Sequence, residues 1–260
     1  MKFSDQKIIV TGCASGIGAK TCELLKKEGA TVIGVDRNPT TQFVDEFHHA
    51  DLSDPVSIDA LIEALPSGAN GLLNIAGVPP TAGATLVLQV NLLALKRLTL
   101  GCVDKLADNA AIVNVASLAG VGWPEAIPSI KAASSLVDFD QVGAFCEEHN
   151  IDDARSYAFS KEALITWTMQ NRWTWRDRGI RMNCVSPGPV ETPILKDFIA
   201  TLGKRVEEDM KVMDRPGTPD DIAPAIVFLA SADSVWIRGT NLACDGGMFN
   251  HIQCAMNDLL

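Results

Sequence analysis

Tyr157 is the only tyrosine in a chain of 260 residues that carries nine Phe and five Trp, and Lys161 follows it by four positions. Where bulk alone is wanted this sequence uses Phe, so a phenol kept once, near an ammonium, points to use of its hydroxyl. Residues i and i+4 share one face of a helix. A neighbouring positive charge favours the phenolate, so the spacing predicts a phenol whose pKa falls from about 10 toward working pH, where a general acid or base is most effective. Y-x-x-x-K also arises by chance in ordinary surface helices, so the remainder of the chain decides.

A second constellation lies near the N-terminus. Lys7 to Thr11 is a short β-branched apolar run, the pattern of a buried parallel strand, and it feeds directly into Gly12-Cys13-Ala14-Ser15-Gly16-Ile17-Gly18. Behind the glycines, Ile17, Thr21, Leu24 and Leu25 fall on one helical face, and Gly29 provides a stop. Strand, glycine turn and amphipathic helix together bring a pyrophosphate onto free backbone N–H groups. The next strand, Thr31 to Val35, ends in Asp36-Arg37. A carboxylate there accepts from ribose hydroxyls and repels a 2′-phosphate, which favours NAD over NADP. Arg37 stacks on adenine or meets a phosphate.

The elements that would position these residues alternate strand and helix throughout. A third strand is expected near Phe47 to Ala50, closing with Asp51-Leu52, then a helix from Pro55 to Leu65 capped by Ser53 or Asp54. A fourth strand runs into Asn74-Ile75-Ala76-Gly77. A long helical pattern, Ala84 to Ala107, carries Asn91 in its middle, where an indifferent helix former signals a polar task or a kink. A fifth strand, Ala111 to Ser117, places Ser117 at the sheet edge where open α/β folds bind ligands. A sixth, Ile180 to Ser186, leads into Pro187-Gly188-Pro189-Val190-Glu191-Thr192-Pro193. Thr218-Pro219 opens another helix, and a seventh strand near Asn241 to Cys244 precedes Asp245-Gly246-Gly247. The expected fold is one α/β domain over 1–260, a Rossmann-type doubly wound parallel sheet of seven strands with helices on both faces.

Composition narrows the partners. A net charge of −10, from 22 basic and 32 acidic residues, opposes nucleic-acid or anionic-membrane binding. Neither a signal peptide nor a membrane span is read from the sequence. Seven cysteines without a C-x-x-C fit reduced thiols in the cytoplasm, and His48-His49 lacks companion ligands, so no metal is expected.

Taken in order, Thr11 to Gly18, Asp51-Leu52, Asn74 to Gly77, Asn91, Ser117, Tyr157/Lys161, Pro187-Gly188 with Thr192, and Asp245-Gly246 resemble the classical short-chain dehydrogenase/reductase family across the whole chain. The glycine spacing is similar to the classical branch rather than the extended one, and the Tyr–Lys spacing disfavours the enoyl-reductase branch. The resemblance implies an alcohol dehydrogenase or carbonyl reductase in which Tyr157 exchanges a proton with the substrate oxygen and Ser117 holds that oxygen. It implies that Lys161 lowers the Tyr157 pKa and binds the nicotinamide ribose, and that Asn91 holds a water leading to Lys161. Asp51 and Leu52 would contact adenine and Thr192 the carboxamide. The cofactor set also includes Gly12, Ser15, Gly16, Ile17, Gly18, Asp36, Arg37, Asn74, Ala76, Gly77, Pro187, Gly188 and Val190.

One departure is informative. Ser117 and Tyr157 are 40 residues apart, far more than in most classical members. The insertion, about 121–153, carries Trp123-Pro124 and an expected helix from Ser129 or Ser135 to Glu148, forming a lid or an interface element. It resembles the 3α-hydroxysteroid dehydrogenase/carbonyl reductase subgroup. The wording of Ala30 to Asn38, Gly122-Trp123-Pro124, Glu162 to Trp167 and Arg181 to Cys184 is closer still to bacterial coniferyl-alcohol dehydrogenases. Trp123 either packs under the insertion or stacks an aryl ring beside the reacting oxygen. Trp123, Pro189 and Leu195 are the substrate candidates for a bulky alcohol. A second stripe on the Tyr157 helix, Phe159, Ala163, Trp167 and Trp173, faces away from the catalytic side. In most classical members that face joins subunits, and its cover by the insertion predicts a homo-oligomer that is a dimer rather than a tetramer. The tail from Met248 to Leu260 closes the pocket or contacts a neighbouring subunit. A competing reading of another class is a non-catalytic NAD-binding regulator, disfavoured because Asn91, Ser117, Tyr157 and Lys161 are all retained.

Overall fold

Seven parallel strands form the sheet, with apolar, largely buried runs at its centre and the more polar β3 (Glu46–His49) and β7 (Asn241–Cys244) at its edges. The computed structural model describes residues 1–202 and 211–260. The strands are β1 (Lys7–Thr11), β2 (Thr31–Asp36), β3 (Glu46–His49), β4 (Ala69–Asn74), β5 (Leu106–Val115), β6 (Arg181–Pro187) and β7 (Asn241–Cys244). They lie in the order β3-β2-β1-β4-β5-β6-β7. The order reverses beside β1, so the carboxyl ends of β1 and β4 diverge and open a crevice at the switch point.

Each face of the sheet has its own core. Ile9 of β1 and Ile112 of β5 pack with α2 (Pro55–Ala64), α3 (Ala84–Leu88), α4 (Leu95–Cys102) and α7 (Asp153–Gln170). Ile8, Val10 and Val113 point the other way, onto α1 (Gly16–Lys27) and α9 (Pro219–Ala230). The third strand is Glu46–His49, and Asp54 is the cap of α2, accepting from Val56 N at 2.9 Å. β5 starts earlier than the apolar run suggests, because Leu106 pairs with Ala69 before a register shift. It also ends earlier than expected, at Val115, so Ser117 lies two residues beyond the strand.

The long helix changes its winding where Asn91 sits: residues Gln89–Ala94 form a π-helical stretch between α3 and α4. This helix, Ala84–Lys105, is long and apolar enough to cross a membrane, but 67% of its most apolar window is buried inside the fold, as in a core helix.

The insertion differs from expectation. Its single helix is two, α5 (Ile127–Ala133) and α6 (Val142–Glu148). The Ser134 and Ser135 hydroxyls bond back to the carbonyls of Lys131 and Ala132, satisfying the end of α5 and stopping it there. Ile130, Ala133, Val142, Phe145 and Cys146 then pack in one core with Phe159 and Ala163, and the Phe145 and Phe159 rings lie 6.1 Å apart. The chain thus covers the outer face of α7 with its own insertion, while Trp173, beyond the helix end, stays 58% exposed.

Candidate active site

The β1–α1 turn is built for close approach. Gly12 has φ +72, and a Cβ there would lie 2.9 Å from the Ala76 backbone; one on Gly18 would strike the Gly12 carbonyl oxygen. Only glycine lets the turn, the first helix and the end of β4 meet. The Thr11 hydroxyl, accepting from Ile75 N at 3.0 Å and Ala76 N at 3.1 Å, ties the two strand ends together. Between them opens a cavity of about 350 Å³, lined by Gly12, Ser15, Gly16, Ile17, Gly18, Asp36, Arg37, Asp51, Leu52, Ala76, Gly77 and Thr192.

Asp36 is held in place by Ala14 N at 3.0 Å and Asn38 N at 2.9 Å. Asp51 accepts from the Ser53 hydroxyl and amide, which, with Arg37 and His49 nearby, hold its carboxyl below the ordinary range. Asn74 is the exception among the expected cofactor residues. Its side chain is buried away from the cleft and donates to Thr99 Oγ1 and Asn114 Oδ1, both at 2.9 Å. Asn114 in turn donates to Thr168, so Asn74 belongs to a polar network tying β4 and β5 to α4 and α7.

Ser117, Tyr157 and Lys161 come together at the end of β5. The 3₁₀ turn Leu118–Gly122 lies flat against α7, because a Cβ on Gly120 would stand 2.6 Å from Ile165 Cδ1 and 2.9 Å from the Lys161 carbonyl carbon. That contact sets Ser117 near Tyr157, where the serine hydroxyl favours the phenolate form. Lys161 Nζ donates to Val115 O at 2.9 Å and lies 5.5 Å from the centre of the Tyr157 ring. Asn91 spends both ends of its side chain on Val78, accepting from its N–H at 2.8 Å and donating to its carbonyl at 3.0 Å. It thereby fixes the turn at Gly77, next to Lys161.

The expected acidification of Tyr157 is not found. Burial pushes its phenol up to about 12, with the Ser117 hydrogen bond countering, and burial lowers Lys161 to about 8. Desolvation disfavours the charged form of each group and is the largest cause of both shifts.

A second cavity, of about 300 Å³, opens on these hydroxyls. Pro187, Gly188, Pro189, Val190 and Leu195 line it, with Ser117, Tyr157, Lys161 and Thr192 as its polar lining. It shares Ile17, Ile75, Gly77, Val78, Thr192 and Ile194 with the first, so the two are compartments of one cleft. Trp123 is not part of the lining; it packs against the core around α7, the alternative allowed by its place beneath the insertion. Sequence reasoning did not single out Val121, Phe198 and Ile252, which do line it. Phe198, on α8 (Leu195–Leu202), meets the Tyr157 ring edge-on at 4.7 Å, and Ile252 comes from α10 (Met248–Met256). Among the described residues no three His, Cys, Asp or Glu side chains group as metal ligands.

Residues 6–128 match the family model described as short chain dehydrogenase, and residues 124–249 that described as Enoyl-(Acyl carrier protein) reductase. The chain is 43% identical over 250 residues to a coniferyl-alcohol dehydrogenase of Pseudomonas sp. (strain HR199 / DSM 7063), covering 95% of this chain and 98% of the relative. It is 27% identical to a 3-alpha-hydroxysteroid dehydrogenase/carbonyl reductase of Comamonas testosteroni, over 93% and 95% of the two chains. Its fold superposes with a TM-score of 0.83 on the crystal structure of a 3-alpha-hydroxysteroid dehydrogenase from Pseudomonas sp. B-0831 complexed with NADH, at 31% identity and covering 98% and 100% of the chains.

Proposed function

Because this chain belongs to the short-chain dehydrogenase/reductase family, we propose that it is an NAD-dependent dehydrogenase of bulky aromatic alcohols of the coniferyl type, also reducing the corresponding carbonyls. The observation that carries this reading is the pair of hydroxyl-bearing residues, Ser117 and Tyr157, lining one apolar chamber continuous with a glycine-floored cleft.

The cleft suits a dinucleotide. Gly12, Gly16 and Gly18 leave the turn bare of side chains, and Asp36 presents a carboxylate where a ribose would lie and a 2′-phosphate would be repelled, so NADP is disfavoured. A bound NAD would supply the acceptor for the hydride of the carbinol carbon. Ser15, Ile17, Arg37, Asp51, Leu52, Ala76, Gly77, Val190 and Thr192 complete the cofactor site.

Tyr157 takes the alcohol proton in oxidation and returns it in reduction, while Ser117 fixes the same oxygen and shares its developing charge. Lys161, as ammonium, stabilises the phenolate form. Asn91 braces the turn beside Lys161; with its side chain spent on Val78, a water-holding role rests with its main chain. Assaying NAD- and NADP-linked oxidation of coniferyl, cinnamyl and short aliphatic alcohols tests the reading. A preference for short aliphatic alcohols would refute it.

A 3α-hydroxysteroid dehydrogenase/carbonyl reductase is the second reading, favoured by the structural match at 31% identity. Steroid 3-alcohols in the same panel separate the two. For assembly we favour a homodimer. The insertion covers α7 from within the chain, while Phe228, Val235 and Trp236 stand exposed at and after the end of α9, near the edge strand β7. Light scattering that gives a stable tetramer would overturn this. The seven unpaired cysteines support a reducing compartment, the cytoplasm.

A further inference from the structure

The geometry points to Ile252, on the C-terminal helix α10, as a specificity-determining residue that sets how large an alcohol the chamber admits. The inference rests on the functional reading above and adds to it a wall that none of the motifs contains.

α10 is placed by its start. Asp245 accepts from Gly247 N at 3.0 Å and from Phe249 N at 2.7 Å, so one carboxylate fixes the first turn. A Cβ on Gly188 would lie 3.1 Å from Asp245, so the same aspartate packs against the strand exit that floors the chamber. Met248, 2% exposed, anchors the helix in the fold. Four residues on, Ile252 shares the face of Met248 and is carried into the lining of the chamber.

Opposite in sequence but lining the same space is Phe198, whose ring sits on the edge of Tyr157. Apolar groups from two separate helices thus bound the region where a substrate's ring system must lie. The polar lining, Ser117, Tyr157, Lys161 and Thr192, includes the proton-transfer groups. Among the described residues Lys161 is the only ionisable lining side chain besides Tyr157, so the chamber suits an uncharged ring system. One methylene in such a wall changes discrimination by roughly 10- to 200-fold.

The test compares kcat/KM for cinnamyl alcohol with that for a polycyclic alcohol, in wild type, Ile252→Ala and Ile252→Trp, all as full-length enzyme with NAD. Ile252→Ala is expected to move the ratio toward the polycyclic alcohol by about tenfold or more, and Ile252→Trp to move it the opposite way. Quenching of NADH fluorescence confirms a folded cofactor cleft in each variant, and Phe198→Ala reports on the same space if one of them fails to fold. A general structural role would lower both substrates together. A ratio unmoved in every folded variant, with wild type active on cinnamyl alcohol, overturns the inference alone. A wild type inactive on every alcohol overturns the functional reading and this inference with it.

Discussion

Lys161 Nζ donates a 2.9 Å hydrogen bond to the carbonyl oxygen of Val115, so the amine is tied to the strand end that leads to Ser117. The tie holds the amine beneath the chamber but leaves it short of solvent, which lowers its pKa from 10.5 to about 8. With the folded value below the unfolded one, stability from this group is complete above about pH 10.5 and is lost as pH falls through about 8. The stability of Lys161→Met relative to wild type should therefore rise by on the order of 3 kcal/mol as pH falls from about 10.5 to 7, on top of a pH-independent cost of about 1–3 kcal/mol for the lost bond to Val115 O. Urea unfolding at pH 7 and pH 10 checks this. Turnover of the variant should fall by about 100-fold or more.

Tyr157→Phe should lower kcat by about 10²- to 10⁴-fold while NADH still quenches and binds. A phenol pushed up to about 12 stays protonated through neutral pH. Alcohol oxidation by wild type should accordingly climb with pH, by up to about tenfold per unit where this group limits, and carbonyl reduction should not. The climb should be absent from the residual activity of the Phe variant. A flat wild-type profile between pH 7 and 10 would contradict the assignment.

Asp36→Ser removes the charge that repels a 2′-phosphate and the acceptor of Ala14 N. Expected is a fall in kcat/KM with NAD and a rise of about 100-fold in the NADP-to-NAD ratio, measured by steady-state kinetics with both cofactors. An unchanged ratio would remove Asp36 from cofactor choice.

Gly120→Ala places a methyl 2.6 Å from Ile165 Cδ1 and 2.9 Å from the α7 backbone. The side chain can yield but the backbone cannot, so the 118–122 turn must lift. A loss of about 1–3 kcal/mol is expected, with kcat falling as Ser117 leaves Tyr157. Gly68→Ala, with nothing within 4 Å of its Cβ but a left-handed backbone, offers a comparison in which stability falls and kcat does not. Thermal melts and turnover on both variants distinguish the two effects.

Most of the scaffold could be read from residue order because buried parallel strands are short apolar runs and the glycine turn has a steric reason for every glycine. Even the interruption at Asn91 was visible as a poor helix former in a long apolar helix. What could not be read depends on direction and depth. Asn74 looks like a cleft residue until its neighbours, Thr99 and Asn114, appear from distant segments. Trp123 allowed two packings, and only the arrangement of α7 chooses between them. Phe198 and Ile252 are ordinary apolar residues of amphipathic helices, identical in pattern to core positions. The phenol's pKa went the opposite way from the spacing argument, since burial is a property of the assembled site rather than of the Tyr–Lys separation.

The six residues common to both compartments have a kinetic meaning. Ile17, Ile75, Gly77, Val78, Thr192 and Ile194 bound the space for a nucleotide and the space for an alcohol at once. A dinucleotide filling the first would complete the wall of the second, so an alcohol arriving alone would meet a trough with one side missing. Coenzyme is therefore expected to bind before alcohol and to leave last, an order that product-inhibition kinetics checks.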